Sequence, residues 1–427
     1  MKKMTVILLT ATLAVFGFAG TSLALHDGGV AHCDACHTMH NSQDGAAETA
    51  NAQFSGYSYL LKGSDQSSTC LNCHEGTPGS YHISTPGAMV QGTTVPTQLT
   101  PGGDFAWLKM DYTWNAWGTD YTEDGDSHGH NIIAADYGYA QDGTLTASPG
   151  GAYPADSFYC SSCHDPHGKY RVFEDGSVAT TGLPIADRGS YPDGGNTHRS
   201  PSALGGWAVG AYRLLGGIGY EPKSAPGTAF TNTIPAAMAP SSYNRDESTT
   251  QTRTAYGSGM SEWCANCHGG ILQDGFTSGM AGLKHPAGNN AELGATIAAN
   301  YNSYVSSGIL DPAQTDAYLS LTPFETGDGN DTVGRTAMAA LAVNDDTALA
   351  GPEATDNVMC LTCHRAHASG FPDMLRFMET ETFVTEEGAF ALEMGRSDVD
   401  MQAAYYRDAS GFGNFQRALC NKCHVKD

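Results

Sequence analysis

All 12 cysteines of the 427-residue chain fall into six copies of one pentad, C-x-x-C-H. The copies are Cys33, Cys36, His37; Cys70, Cys73, His74; Cys160, Cys163, His164; Cys264, Cys267, His268; Cys360, Cys363, His364; and Cys420, Cys423, His424. This pattern is the attachment signature of c-type haem. Two thiols spaced by two residues add to the two vinyl groups of one porphyrin, and the following histidine becomes the proximal iron ligand. A zinc half-site, a redox dithiol or a disulfide would explain paired cysteines. None of these requires histidine after the second cysteine six times out of six. The sequence therefore predicts six covalently attached haem c groups.

Ten histidines remain beyond the six proximal ones: His26, His32, His40, His82, His128, His130, His167, His198, His285 and His367. Six bis-histidine irons need six of them. Iron filled by imidazole on both sides exchanges electrons but does not readily bind a substrate. Three motifs extend to C-x-x-C-H-x-x-H, which adds His40, His167 and His367. Three residues is about one helical turn, so the second histidine lies on the same side as the first. It cannot reach the far face of its own porphyrin, but it can reach a neighbouring iron. His82, His130 and His285 lie in mixed or Gly- and Pro-marked settings that suit ligands. His26 is the strongest reserve, and His32, His128 and His198 are surplus. The 14 methionines offer an alternative axial ligand, but the histidine supply makes bis-histidine iron the simpler assignment.

The elements that position these groups must be unusual. Leu, Ile, Val and Phe make up about 16 % of the chain, and the formal net charge is −24. A polypeptide of that composition cannot ordinarily bury enough apolar surface to fold. Porphyrins can supply the missing core. The 52 glycines then allow the backbone to pass close to flat macrocycles. Motif spacing follows no fixed period, which excludes a tandem array of one module. The expected fold is mostly irregular coil with few short helices and minimal strand, wrapped around a continuous haem chain. Helical patterning occurs at 291–305, 312–321 and 398–406, and Gly/Pro/Asp/Ser-rich loops at 137–154 and 186–202.

Residues 1–24 read as a secretory signal: Lys2 and Lys3, an apolar run, then Ser22 and Ala24 at the small-residue positions before the cut. Residues 25–427 read as a single hexahaem cytochrome domain. The apolar run is too short for a membrane span, and strong acidity argues against nucleic-acid partners.

Several stretches outside the pentads are also distinctive: Thr100-Pro101-Gly102-Gly103-Asp104-Phe105, Ala179-Thr180-Thr181-Gly182-Leu183-Pro184, Ser261-Glu262-Trp263 before Cys264, His285-Pro286-Ala287-Gly288-Asn289, Arg365-Ala366-His367, and Arg417-Ala418-Leu419 before Cys420. Through them the chain resembles the outer-surface hexahaem c-type cytochromes of metal-reducing bacteria that polymerise into conductive filaments. That resemblance implies an extracellular electron-transfer protein rather than an enzyme, forming a homopolymer that delivers electrons from redox partner cytochromes to external acceptors. It implies that His40 crosses into the next protomer to ligate the haem at Cys360. His82, His130, His167, His285 and His367 match the remaining distal positions. Stretches 186–204, 269–283 and 379–397 diverge from the family and are expected to be surface loops. A monomeric electron shuttle, and a multihaem reductase with one open haem site, are the rival readings.

Overall fold

A computed structural model describes residues 33–38, 42–43, 46–47, 60–77, 82–180, 200–201, 207–240, 247, 253–272, 285–303, 322–342 and 351–424. The signal segment, His26, His32, His40, His198 and the expected helix at 312–321 lie outside them. Among the described residues the α-helices are Cys33–Cys36 (α1), Gln66–His74 (α2), Met260–His268 (α3), Gly294–Ser303 (α4), Thr332–Leu341 (α5), Cys360–Cys363 (α6), Asp398–Tyr405 (α7) and Leu419–Cys423 (α8). None exceeds ten residues. Strands are two to five residues long, all antiparallel; the described sheets are two-stranded apart from one of four strands. The fold is mostly irregular backbone, as the composition predicts.

Where regular structure forms, local chemistry accounts for it. The helix patterned at 291–305 begins at Gly294, whose φ of 69° marks the entry. Helix α7 opens with a reciprocal cap between Ser397 and Asp400 and stops at Tyr406, which is left-handed at φ 64°. Helix α5 has no counterpart in the sequence reading. Its start is fixed by the Asp331 carboxylate, which accepts the Gly334 N–H at 2.8 Å. The longest hairpin pairs Tyr112–Ala116 with Thr119–Glu123. Its two-residue turn, Trp117-Gly118, has positive φ at both positions (51° and 80°), the geometry that matches strand twist.

The interior is divided. Four clusters of buried apolar residues occur among the described residues, centred on Trp107, Phe371 and Tyr405; on Tyr170, Tyr212 and Tyr256; on Phe105, Ile132 and Tyr139; and on Met238 and Met338. The stretch 379–397 is not the surface loop that sequence divergence suggests. Val384, Thr385 and Phe390 are buried, short strands Thr385–Glu386 and Ala389–Phe390 pair there, and Arg396 reaches into the interior.

Candidate haem sites

Each C-x-x-C-H pentad is held on a helical turn. In α2 and α3 it closes a nine-residue helix. Elsewhere it occupies turns of three to five residues: α1, α6, α8 and the 3₁₀ turn Cys160–Ser162. The histidine N–H donates to the carbonyl of the first cysteine, at 2.9 Å for His37 and His424 and 3.0 Å for His164 and His364. That bond brings the imidazole back beside both thiols. All 12 thiols are free of disulfides. Burial pushes the thiol of Cys363 up to about 12, and those of Cys267 and Cys423 to about 11.

Motifs dock in pairs by a repeated contact. The Cys160 N–H donates to Ser67 Oγ and the Cys360 N–H to Ser261 Oγ, each at 3.0 Å. Ser67 and Ser261 each stand three residues before the first cysteine of the preceding motif. The thiols of Cys70 and Cys160 come within hydrogen-bond reach of each other, as do those of Cys264 and Cys360.

The imidazoles show a second regularity. With a metal–nitrogen bond of about 2 Å on each side, two imidazoles on opposite positions of one metal have ring centroids about 6 Å apart. Four pairs match: His37 with His167 at 6.4 Å, His164 with His367 at 6.5 Å, His268 with His130 at 6.0 Å, and His424 with His285 at 6.1 Å. Each joins a motif histidine to one of the distal candidates. Neither His167 nor His367 faces the histidine of its own motif, as the reach of one helical turn requires. In five of the rings the non-coordinating nitrogen is also accounted for. Nδ1 lies 2.7 Å from Ala366 O in His130, 2.7 Å from Arg213 O in His164, 2.8 Å from Pro149 O in His268, 2.9 Å from Pro286 O in His285 and 2.7 Å from Asp373 O in His364. A carbonyl can only accept, so Nδ1 carries the proton and Nε2 is left with its lone pair for metal. Burial lowers the pKa of His130 to about 4 and of His367 to about 3, and lowers those of His164 and His364. These four rings stay neutral and ready to ligate at pH 7.

Two motif histidines differ. His82 lies beside the second motif: its Nδ1 is 2.6 Å from Thr77 O, and the Ile83 N–H donates to His74 O at 2.8 Å. Among the described residues, no second imidazole faces His364.

His128, surplus in sequence, is fully buried and has both nitrogens engaged. Nε2 is 2.7 Å from Glu123 Oε1, and Nδ1 is 3.0 Å from Ser369 O. Arg396 binds the same carboxylate at 2.5 Å and stacks on Tyr112 at 4.1 Å. Burial raises the Glu123 pKa, but His128 and Arg396 outweigh it and hold the carboxyl below its ordinary value. No motif or period announces this network, because it joins residues about 270 positions apart. Replacing His128 by Ala should cost about 1–3 kcal/mol, the usual penalty for leaving buried hydrogen-bond partners unsatisfied. Denaturant unfolding would measure it. The low-spin haem spectrum should not change.

Irregular backbone, six haem-attachment turns and imidazoles facing across a metal's width define a multihaem c-type cytochrome, an electron-transfer protein rather than a classical enzyme. No family model matches the sequence. The chain is 54 % identical over 444 aligned residues to C-type cytochrome OmcS of Geobacter sulfurreducens, covering all of both chains. Two solved structures, the cryo-EM structure of the OmcS nanowires and that of the Outer Membrane Cytochrome S filament from the same organism, superpose with TM-scores of 0.82. Both are 54 % identical, over 94 % of this chain and 100 % of theirs. The chain belongs to the OmcS family of c-type cytochromes.

Proposed function

We propose that residues 25–427, exported by a signal at 1–24, carry six haem c groups and conduct electrons outside the cell as a filament of identical copies. The thioether residues are the 12 motif cysteines, and the proximal ligands are His37, His74, His164, His268, His364 and His424. The distal ligands are His40, His82, His130, His167, His285 and His367. The single observation carrying this reading is the set of four imidazole pairs at 6.0–6.5 Å.

When bound, haem iron stores and passes one electron at a time. The chain's own residues set the conditions. Paired imidazoles would hold a bound iron from both sides and leave substrates no place on it. Carbonyls hold the Nδ1–H of His82, His130, His164, His268, His285 and His364, orienting those rings and making them more basic ligands. The serine contacts at Ser67 and Ser261 fix neighbouring attachment turns against each other. By the family resemblance, His40 of a second copy would supply the ligand facing His364, which would make iron ligation part of the subunit contact. The relatives of known structure are themselves filaments, and no helix among the described residues is long and apolar enough to cross a membrane. Filaments on the outer cell surface can meet both redox partner cytochromes and external acceptors.

Carbon monoxide distinguishes this from a reductase. The reduced filament should bind almost none, and a pyridine haemochrome assay should count six haems. Stoichiometric binding at one haem would establish an open site and overturn the bis-histidine assignment.

A further inference from the structure

Glu325 is the buried carboxyl for which the haem sites so far provide no role. It is 0 % exposed. It lies where the fourth and fifth attachment turns meet, bridged through its backbone to Asn357 (N–H to O at 3.0 and 2.8 Å). One carboxyl oxygen accepts the Met260 N–H at 2.6 Å. The other, Oε2, is buried with no hydrogen-bond partner among the described residues. The titratable groups facing it are Glu262 and Cys264 on α3 and Cys360 on α6; no cation among the described residues offsets its charge. The equivalent junction of the second and third motifs is built differently. There Asp65 accepts from Ser68 N and Oγ, both at 2.7 Å, and from Ala135 N at 2.8 Å. Asp65 is a satisfied carboxylate; Glu325 is not.

An unpartnered buried oxygen disfavours the charged carboxylate and suits the acid. We propose, on the six-haem reading, that Glu325 takes up a proton when the irons anchored at Cys264 and Cys360 are reduced, so that charge at this junction stays balanced. One electron converts iron(III) to iron(II), and one proton from water converts the carboxylate to the neutral acid. The arriving electron comes from the adjoining haem, which the proposed conduction supplies. The direction follows from charge: iron(III) favours the carboxylate, and iron(II) releases it to bind a proton. Burial, with Glu262 adding repulsion, already lifts the Glu325 pKa to about 8, which places the exchange near neutral pH. Over that range the potential of this junction should fall as pH rises. Below it, where the acid is present in both redox states, the potential should be flat.

The test is infrared difference spectroscopy of the intact haem-loaded protein, reduced minus oxidised, between pH 6 and 9. A carboxylic-acid C=O band should appear on reduction, shift in D₂O, and vanish in Glu325→Gln. Glu325→Gln should also raise the potential at alkaline pH and flatten its pH dependence. The band persisting unchanged in Glu325→Gln, or its absence from the parent protein, would overturn the proposal. If Glu325→Gln fails to fold, Glu325→Asp must displace the band, and an unmoved band is equally fatal. Haem count and the low-spin spectrum, recorded on the same samples, report separately on the six-haem reading.

Discussion

Produced without haem attachment, the chain should not fold. With all 12 cysteines replaced by serine it should show coil-like circular dichroism, no cooperative unfolding, and digestion by dilute protease at sites throughout. The reason lies in what the interior lacks. Among the described residues, Leu71 and Ile132 are the only Leu, Ile or Val side chains in the set of largest fully buried residues; the others include Trp107, Tyr112, Arg365 and Lys422. Burying cations such as these is costly unless their partners are fixed. Among the described residues the apolar clusters are four rather than one, and Phe105 of one stacks on His367. Iron joining each pair would also cross-link distant chain segments. His37 and His167, His164 and His367, His130 and His268, and His285 and His424 each lie more than 100 residues apart. By the loop-entropy relation, closing a loop of about 100 residues stabilises a fold by about 4–5 kcal/mol. Four such closures exceed the whole stability of a typical domain, about 5–15 kcal/mol. A cooperatively folded apoprotein would show that the polypeptide supplies its own core.

Replacing His40 by Ala should abolish filaments while leaving six haems on each monomer. His364 has its Nδ1 held by Asp373 O at 2.7 Å and no imidazole opposite it among the described residues. His82 is tied locally beside His74, and the other four distal histidines face other motifs. The family resemblance assigns the position facing His364 to His40 of a second copy. An interfacial iron–imidazole bond worth as little as about 3 kcal/mol changes association on the order of 100-fold per contact. Light scattering or microscopy should therefore show monomers, with one iron of six turned high-spin and able to bind carbon monoxide. Filaments with an unchanged low-spin spectrum would refute the inter-copy ligand.

Much of the site is legible in the sequence because its chemistry is local. Cysteine pairs, proximal histidines and the C-x-x-C-H-x-x-H turns are set by spacings of one to four residues. Composition alone identifies the missing core. What the sequence withholds is long-range. Nothing near His130 indicates that it faces His268 rather than the nearer His164. His128 has the residue type of a ligand but binds Glu123 and Ser369, and only three-dimensional neighbours reveal this. The Ser67 and Ser261 contacts become visible as a repeat only once the turns are docked. Residues 379–397 mislead for a related reason: Arg396 within them is buried against Glu123, 273 positions away.

The central claim is that paired imidazoles hold every iron. A cryo-EM structure of the haem-loaded protein tests it most directly. One iron should lie between each of the four facing pairs, a fifth between His74 and His82, and a sixth between His364 and His40 of a second copy. An iron with water, methionine or His128 in its sixth position would contradict the account.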